Sequence, residues 1–422
     1  MEQKIYNEYV EILKEELLPA MGCTEPIAVA YAAAVAVQAL GEKPESVEVN
    51  VSANIIKNVK SVVVPCTGGL RGIGAAVCAG IVAGCPEKEL EILEEITEEQ
   101  KVEMKKMLDT MPMTIQESDK GYIFDIQIKA CAGGHSGYVE IAGFHTNVIC
   151  VKKDDEIIRE KAYEEQGSSC ATDRSLLTVE KIIEFADCVD VADVEEVLQR
   201  QIDYNWAIAE EGMTGNWGAA IGKTLMEAYG NSVHNRAKAM AAAGSDARMN
   251  GCELPVVINS GSGNQGMTTS LPVIVYAKEL NVSKEMMLRA LVVSNLITIH
   301  MKTGIGRLSA YCGAISAGCG AGAGICYLYG GRAYEISHVI VNAVAINSGV
   351  VCDGAKASCA AKIASAVEAG LLGLQMQKNG KQFYGGDGLV EKGVENTIRN
   401  IGELAKKGMR ETDKTIIQIM TR

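Results

Sequence analysis

The sequence predicts an α+β protein: a large, mainly helical domain made from residues 1–43 and 156–422, with a smaller α+β domain containing a sheet inserted at 44–155. Three observations predict it. Apolar residues alternating with period two are concentrated in the first 155 residues, which is the spacing of half-buried strands. From about residue 176 onward helical spacing dominates and 256–259 is the one short strand-like run. Finally, 422 residues with 48% hydrophobic content are enough to bury two or three cores.

Taken in order, residues 3–40 read as two helices. Ile5, Tyr9, Ile12, Leu13 and Leu17 fall at helical spacing, Leu18-Pro19 breaks the run, and an Ala/Val-rich helix follows. The break carries Gly22-Cys23-Thr24-Glu25-Pro26. Val47, Val49 and Val51 then alternate with polar partners, so 46–52 is a predicted strand, as are 61–65, 122–129 and 138–152. Between them 72–84 and 87–108 are predicted helices. The Gly/Ala-rich segments of the C-terminal half let helices approach closely.

The charge balance restricts the partners. Forty Lys and Arg against 53 Asp and Glu give a net charge of −13, and no basic run with interleaved aromatics is present. Nucleic acid and anionic membranes are therefore not expected partners. The N-terminus, Met1-Glu2-Gln3-Lys4, does not open a signal peptide, so a cytoplasmic location is expected. The uncharged stretch 308–331 is long enough to span a membrane, but nine of its 24 residues are Gly or Ser, which favours a buried helix. Fourteen cysteines in a reducing compartment do not read as a disulfide framework, and metal or nucleophile chemistry is an option.

Several motifs could carry chemistry. Cys312, Cys319 and Cys326 recur every seven residues, which on one helix places them about 10 Å apart, too far to hold one small cluster together. Cys352 and Cys359 lie further on; a cluster site must draw on different segments, and Cys319 and Cys326 also read as small fillers of a Gly/Ala helix. Gly261-Ser262-Gly263-Asn264-Gln265-Gly266 has the spacing of a dinucleotide loop, but no closing βαβ strand follows, so no nucleotide is expected. A loop that grips a carboxylate through its backbone N–H groups with Ser260, Ser262 and Asn264 is the better functional reading, and a tight turn needing glycine is the plain one. Cys23 at a helix start is a plausible base, because the helix dipole favours thiolate there. Pro65-Cys66-Thr67-Gly68-Gly69, followed by Arg71, is a second small-residue turn. Lys302 and Arg307, in the segment that begins at His300, would pair with a carboxylate if near a site and are otherwise surface cations. His135, on a glycine-rich turn, reads as structural more readily than catalytic.

Together, Gly22-Cys23-Thr24-Glu25-Pro26, Ser260-Gly261-Ser262-Gly263-Asn264-Gln265-Gly266 and the set Cys312, Cys352 and Cys359 resemble the L-cysteine desulfidase family, which is related to the α chain of iron–sulfur L-serine dehydratases. The resemblance spans nearly the whole chain. It implies a [4Fe–4S] cluster held by Cys312, Cys352 and Cys359, with one open iron acting as Lewis acid on a small amino-acid substrate, and Cys23 as the base that removes the α-proton. The same motifs supply Thr24, Glu25, Ser260, Ser262, Asn264 and Gln265 as substrate-binding candidates, with Lys302 beside them. Sulfide would leave from Cβ of L-cysteine, and the aminoacrylate would hydrolyse to pyruvate and ammonia without pyridoxal phosphate. L-Serine dehydratase is the alternative enzyme. A non-catalytic metabolite-binding or cluster-sensing protein is the alternative of another class, which an intact Cys23 disfavours. A homodimer is compatible with this reading, and the roles of His135, His300 and Arg307 are left open.

Overall fold

The computed structural model describes residues 1–163, 172–306 and 308–421. The chain opens with α1 (Gln3–Glu16), β1 (Pro19–Met21) and α2 (Thr24–Leu40). A sheet-bearing region follows, with β2 (Ser46–Val51), α3 (Ala53–Val59), α4 (Gly72–Ala83), α5 (Glu98–Thr110), β3 (Met113–Glu117), β4 (Asp125–Ala132), β5 (His135–Ala142), β6 (Val148–Lys153) and β7 (Glu156–Glu160). Then come α6 (Val179–Cys188), α7 (Glu195–Thr214), α8 (Ile221–Tyr229), α9 (Val233–Met249), β8 (Pro255–Val257), α10 (Gly263–Glu279) and α11 (Lys284–Ile305). The chain closes with α12 (Gly313–Leu328), α13 (Ala333–Ile346), α14 (Cys359–Lys378), α15 (Val394–Glu403) and α16 (Arg410–Thr421). The protein is thus α+β and mostly helical.

The larger sheet has the order β3-β2-β4-β5-β6-β7, with β2 parallel to β3 and the other neighbours antiparallel. One face is apolar because Val47, Val49 and Val51 of β2 stand beside Ile126 and Ile128 of β4, all buried. Each such side chain taken out of water contributes about 1.5–3 kcal/mol. Helix α2 packs across β4, β5 and β6. It comes so close to β5 that a Cβ on Gly137 would stand 2.1 Å from the Ala36 carbonyl.

The edge strands β3 and β7 escape the alternation rule because they bury almost nothing: every residue of β7 is exposed, as are four of five in β3. A strand that faces water on both sides carries no period-two signal. β7 also lies past residue 155, on the helical side of the expected boundary. The expected strand at 61–65 is not one. Val63 makes only an isolated bridge to Arg71, since Pro65 has no N–H to donate and the chain reverses at once through Gly68 and Gly69, both with positive φ. The expected helix at 87–108 is divided at Glu89 (φ 45°, ψ −111°), and α5 restarts at a Thr97/Gln100 capping box.

In the helical part, α12 runs through the core between α11 and α14. Gly320 and Gly324 face α11, where added Cβ atoms would meet Thr298 Oγ1 at 2.2 Å and the Ala290 carbonyl at 2.8 Å. Gly318 and Gly322 face α14, meeting the carbonyls of Ala366 and Gly370 at 2.3 and 2.9 Å. Small residues on two faces thus allow two close helix contacts, which accounts for a charge-free segment without a bilayer. Among the described residues no helix is long and apolar enough to cross a membrane. Cys319 and Cys326 are buried within α12.

Candidate active site

The N-terminal break and the glycine-rich loop meet across the two-stranded sheet formed by β1 and β8. Pro19 pairs with Val257 and Met21 with Pro255, and the Ile258 N–H donates to the Leu18 carbonyl at 2.9 Å. Beyond the two strands, Thr24 Oγ1 lies 3.0 Å from the Gly261 carbonyl. The loop itself is fixed by buried amides: Asn259 Nδ2 donates to Asn295 Oδ1 at 2.9 Å, and Asn295 Nδ2 to Gln201 Oε1 at 2.8 Å. Ser260 and Gly261 turn in the left-handed region, and Ser262 then caps α10.

A cavity of about 110 Å³ opens beside this junction. Its walls include Cys23 and Glu25 from the start of α2, Ser262, Asn264 and Gln265 from the start of α10, and Lys302 from the end of α11. Cys312, Cys352 and Cys359 line the same cavity. They arrive on three segments. The Cys312 N–H donates to the Val350 carbonyl at 3.1 Å and the Cys352 N–H to the Ala310 carbonyl at 2.7 Å, flanking a Tyr311–Val351 bridge. Cys359 is the first residue of α14. Burial pushes the Cys312 thiol up to about 12, and its neighbours Cys352 and Cys359 add to the effect. Burial raises Cys359 too, while Lys356 and Lys362 act in the opposite sense. Among the described residues no three His, Cys, Asp or Glu side chains could hold a single metal ion.

Cys23 is the N-cap of α2, as its motif suggests, but the expected lowering of its pKa is not found. Its side chain makes no cap hydrogen bond. The thiol instead donates to Glu25 Oε2 at 3.1 Å. Burial, followed by the charge of Glu25, pushes it well above the ordinary cysteine value, and Arg248 only partly offsets this. A helix dipole is worth about 0.3–1 kcal/mol at a surface, which full desolvation exceeds. Glu25 behaves oppositely. Burial favours its neutral form, but His145, the Cys23 hydrogen bond, its own amide and Arg248 together hold it below the usual carboxylate range. Asn58 Nδ2 fixes the other oxygen at 3.0 Å.

Other candidates fall outside the cavity wall. Thr24 and Ser260 do not line it: Thr24 reaches Gly261 and Glu25, and Ser260 Oγ donates to Asn259 Oδ1 at 2.9 Å. His135 is exposed and bonded to Asp154 at 3.0 Å, and His300 pairs with Glu395 at 2.7 Å. Arg307 lies outside the described residues. Lys57, Asn58, Arg248, Tyr311 and Lys362, which no sequence motif marks out, also contribute to the wall. Arg248 lies in an Ala-rich helix with no flanking motif, and only the packing of α9 against α10 brings it in.

Fold and cavity together define a mainly helical α+β protein with a thiol-lined cavity at the meeting point of several helix starts. Comparison with known proteins places it more narrowly. Residues 87–418 match the serine dehydratase alpha chain family. A UPF0597 protein of Desulfitobacterium hafniense is 59% identical, covering 99% of this chain and 97% of its own. One from Lachnoclostridium phytofermentans is 51% identical over 99% of this chain and 100% of its own, and one from Bacteroides fragilis 36% over 98% of each. The chain belongs to the UPF0597 and serine dehydratase alpha chain family. That membership supports a lyase-type enzyme with dehydratase-like chemistry.

Proposed function

We propose that the protein is an iron–sulfur-dependent, pyridoxal-phosphate-independent lyase that eliminates the β-substituent of L-cysteine, giving sulfide, ammonia and pyruvate. The observation that carries this reading is that Cys23 shares one cavity with Cys312, Cys352 and Cys359. Family membership supports the elimination class and equally favours a second reading, in which L-serine is the substrate and water is lost.

The donor set suits a [4Fe–4S] cluster. Three thiols come from separate segments, with Lys356 and Lys362 nearby to favour thiolates, and a cubane carries its cysteines on different irons, wider apart than the ligands of one ion. Bound by Cys312, Cys352 and Cys359, such a cluster would supply a Lewis-acidic iron with one position open to substrate.

The other roles fall to the chain. Cys23, as the thiolate, takes the α-proton, and Glu25 Oε2, 3.1 Å from its sulfur, orients that group. Asn58 holds that carboxylate in place. Ser262, Asn264, Gln265 and Lys302 engage the polar ends of the substrate, while Thr24 and Ser260 shape the loop. The aminoacrylate left after elimination tautomerises and hydrolyses to pyruvate and ammonia. A cytoplasmic location suits a chain whose 13 described cysteines are all unpaired.

The test is the visible absorption of anaerobically purified protein, followed by sulfide and pyruvate assays on L-cysteine and L-serine. A brown protein releasing sulfide from L-cysteine is expected. Pyruvate from L-serine without sulfide from L-cysteine would select the dehydratase, and a colourless protein active on neither would end the lyase reading.

A further inference from the structure

Arg248, near the end of α9, keeps only 2% of its surface accessible, and its atoms line the cavity. Among the described residues it forms no ion pair with an acidic side chain. Its one hydrogen bond donates from Nη1 to Asn264 Oδ1 at 3.2 Å, and its buried Nε has no partner. The guanidinium lies across Gly263, the first residue of α10, where an added Cβ would stand 2.5 Å from Nε. A buried cation that reaches Glu25 only through its field, not through an ion-pair contact, is thus set beside the N-terminus of a 17-residue helix, whose first N–H groups are themselves positive. Two positive features desolvated side by side favour an anion that touches both.

From this juxtaposition we infer that Arg248 is the specificity-determining receptor for the substrate's α-carboxylate, assisted by Asn264 and the first N–H groups of α10. The inference rests on the reading of the cavity as an amino-acid site. A planar carboxylate matches the guanidinium fork. The bond from Arg248 to the Asn264 carbonyl leaves the Asn264 –NH₂ free to donate to the same anion. Arg248 then dictates which end of the zwitterion enters first, and so which carbon faces Cys23.

The test is calorimetric binding of L-alanine, which has no β-leaving group, against L-alaninamide, which lacks the anion, using anaerobically purified full-length protein. The unaltered protein is expected to prefer L-alanine by at least about tenfold, the scale of a charge-assisted hydrogen bond. Arg248→Lys should keep the charge and retain part of that preference, and Arg248→Gln should bind both ligands equally. An unaltered protein that binds the two alike, or an Arg248→Gln variant that still prefers L-alanine, overturns the inference. Inorganic phosphate binding as tightly as L-alanine through Arg248 would overturn it too. Should Arg248→Gln fail to fold, the comparison in the unaltered protein and in Arg248→Lys still decides. Preference for L-alanine in a protein that turns over neither L-cysteine nor L-serine would spare Arg248 and defeat the proposed reaction, whereas turnover without the preference does the reverse.

Discussion

Thr24 Oγ1 and the carbonyl of Gly261 lie 3.0 Å apart although 237 residues separate them in the chain. This contact closes the junction between the segment that bears Cys23 and the loop that starts α10. Thr24 is 1% exposed, so the carbonyl has no water to replace a lost donor. Thr24→Val keeps the shape and removes the donor, and it should cost about 1–3 kcal/mol. Thermal unfolding measures the loss, and an unchanged melting temperature would show that the junction is held by the β1–β8 pairing alone.

Gly22 sets the direction in which Cys23 leaves β1. Its φ is +54°, and a Cβ there would stand 2.3 Å from Pro65 Cγ. Gly22→Ala should therefore destabilise by at least about 1–3 kcal/mol and displace Cys23. Gly68→Ala is the control, because φ is also positive (+70°) yet nothing lies within 4 Å of its added Cβ. The two variants should differ clearly in melting temperature and activity.

For the thiols, single replacement of Cys312, Cys352 or Cys359 by Ala should abolish the visible absorption of anaerobically purified protein, and chelation of iron should do the same. Cys319→Ala, in the interior of α12, should keep the colour and lose only packing. Colour surviving in Cys359→Ala but not in Cys319→Ala would overturn the ligand assignment.

Cys23→Ser should keep that absorption and most substrate affinity but lose turnover by about 10²-fold or more, the scale of a general base. Loss of colour would make Cys23 a ligand instead. Full activity would pass the proton to another group, and Lys302 is then the residue to replace, since it lines the cavity and His135 does not.

A pH effect on stability is expected where α9 meets α14. Hydrogen bonding from His234, at 2.8 Å, with Lys238 at 2.6 Å, lowers Glu368 from 4.5 to about 2. Because the folded state depresses this pKa, the stabilisation is complete above pH 4.5 and disappears as pH falls through about 2. Glu368 is 43% exposed, so solvent screening limits the effect to about 1 kcal/mol or less. Glu368→Gln should lower the melting temperature slightly at pH 7 and lose that difference near pH 2. A difference that stays constant with pH would show that packing, not charge, makes the contact.

Periodicity and short motifs made much of this protein legible. Alternating Val47, Val49 and Val51 announce a buried sheet face, the Gly/Ser content of 308–331 announces a close-packed helix, and Cys23, Glu25, Ser262, Asn264 and Gln265 announce themselves through motifs that turn chain into helix. These features are local: each depends on residues within a turn or a strand of one another, so sequence spacing contains them. What only the tertiary structure decided is which distant groups meet. Arg248 and Lys57 have ordinary sequence surroundings, and they become part of the cavity only because α9 packs on α10 and α3 carries Lys57 to Asp413 of α16. The protonation of Cys23 was decided there as well. A helix start by itself favours thiolate, but burial and the adjacent Glu25 carboxylate outweigh it, and desolvation is a property of everything folded around a residue rather than of its neighbours in the chain.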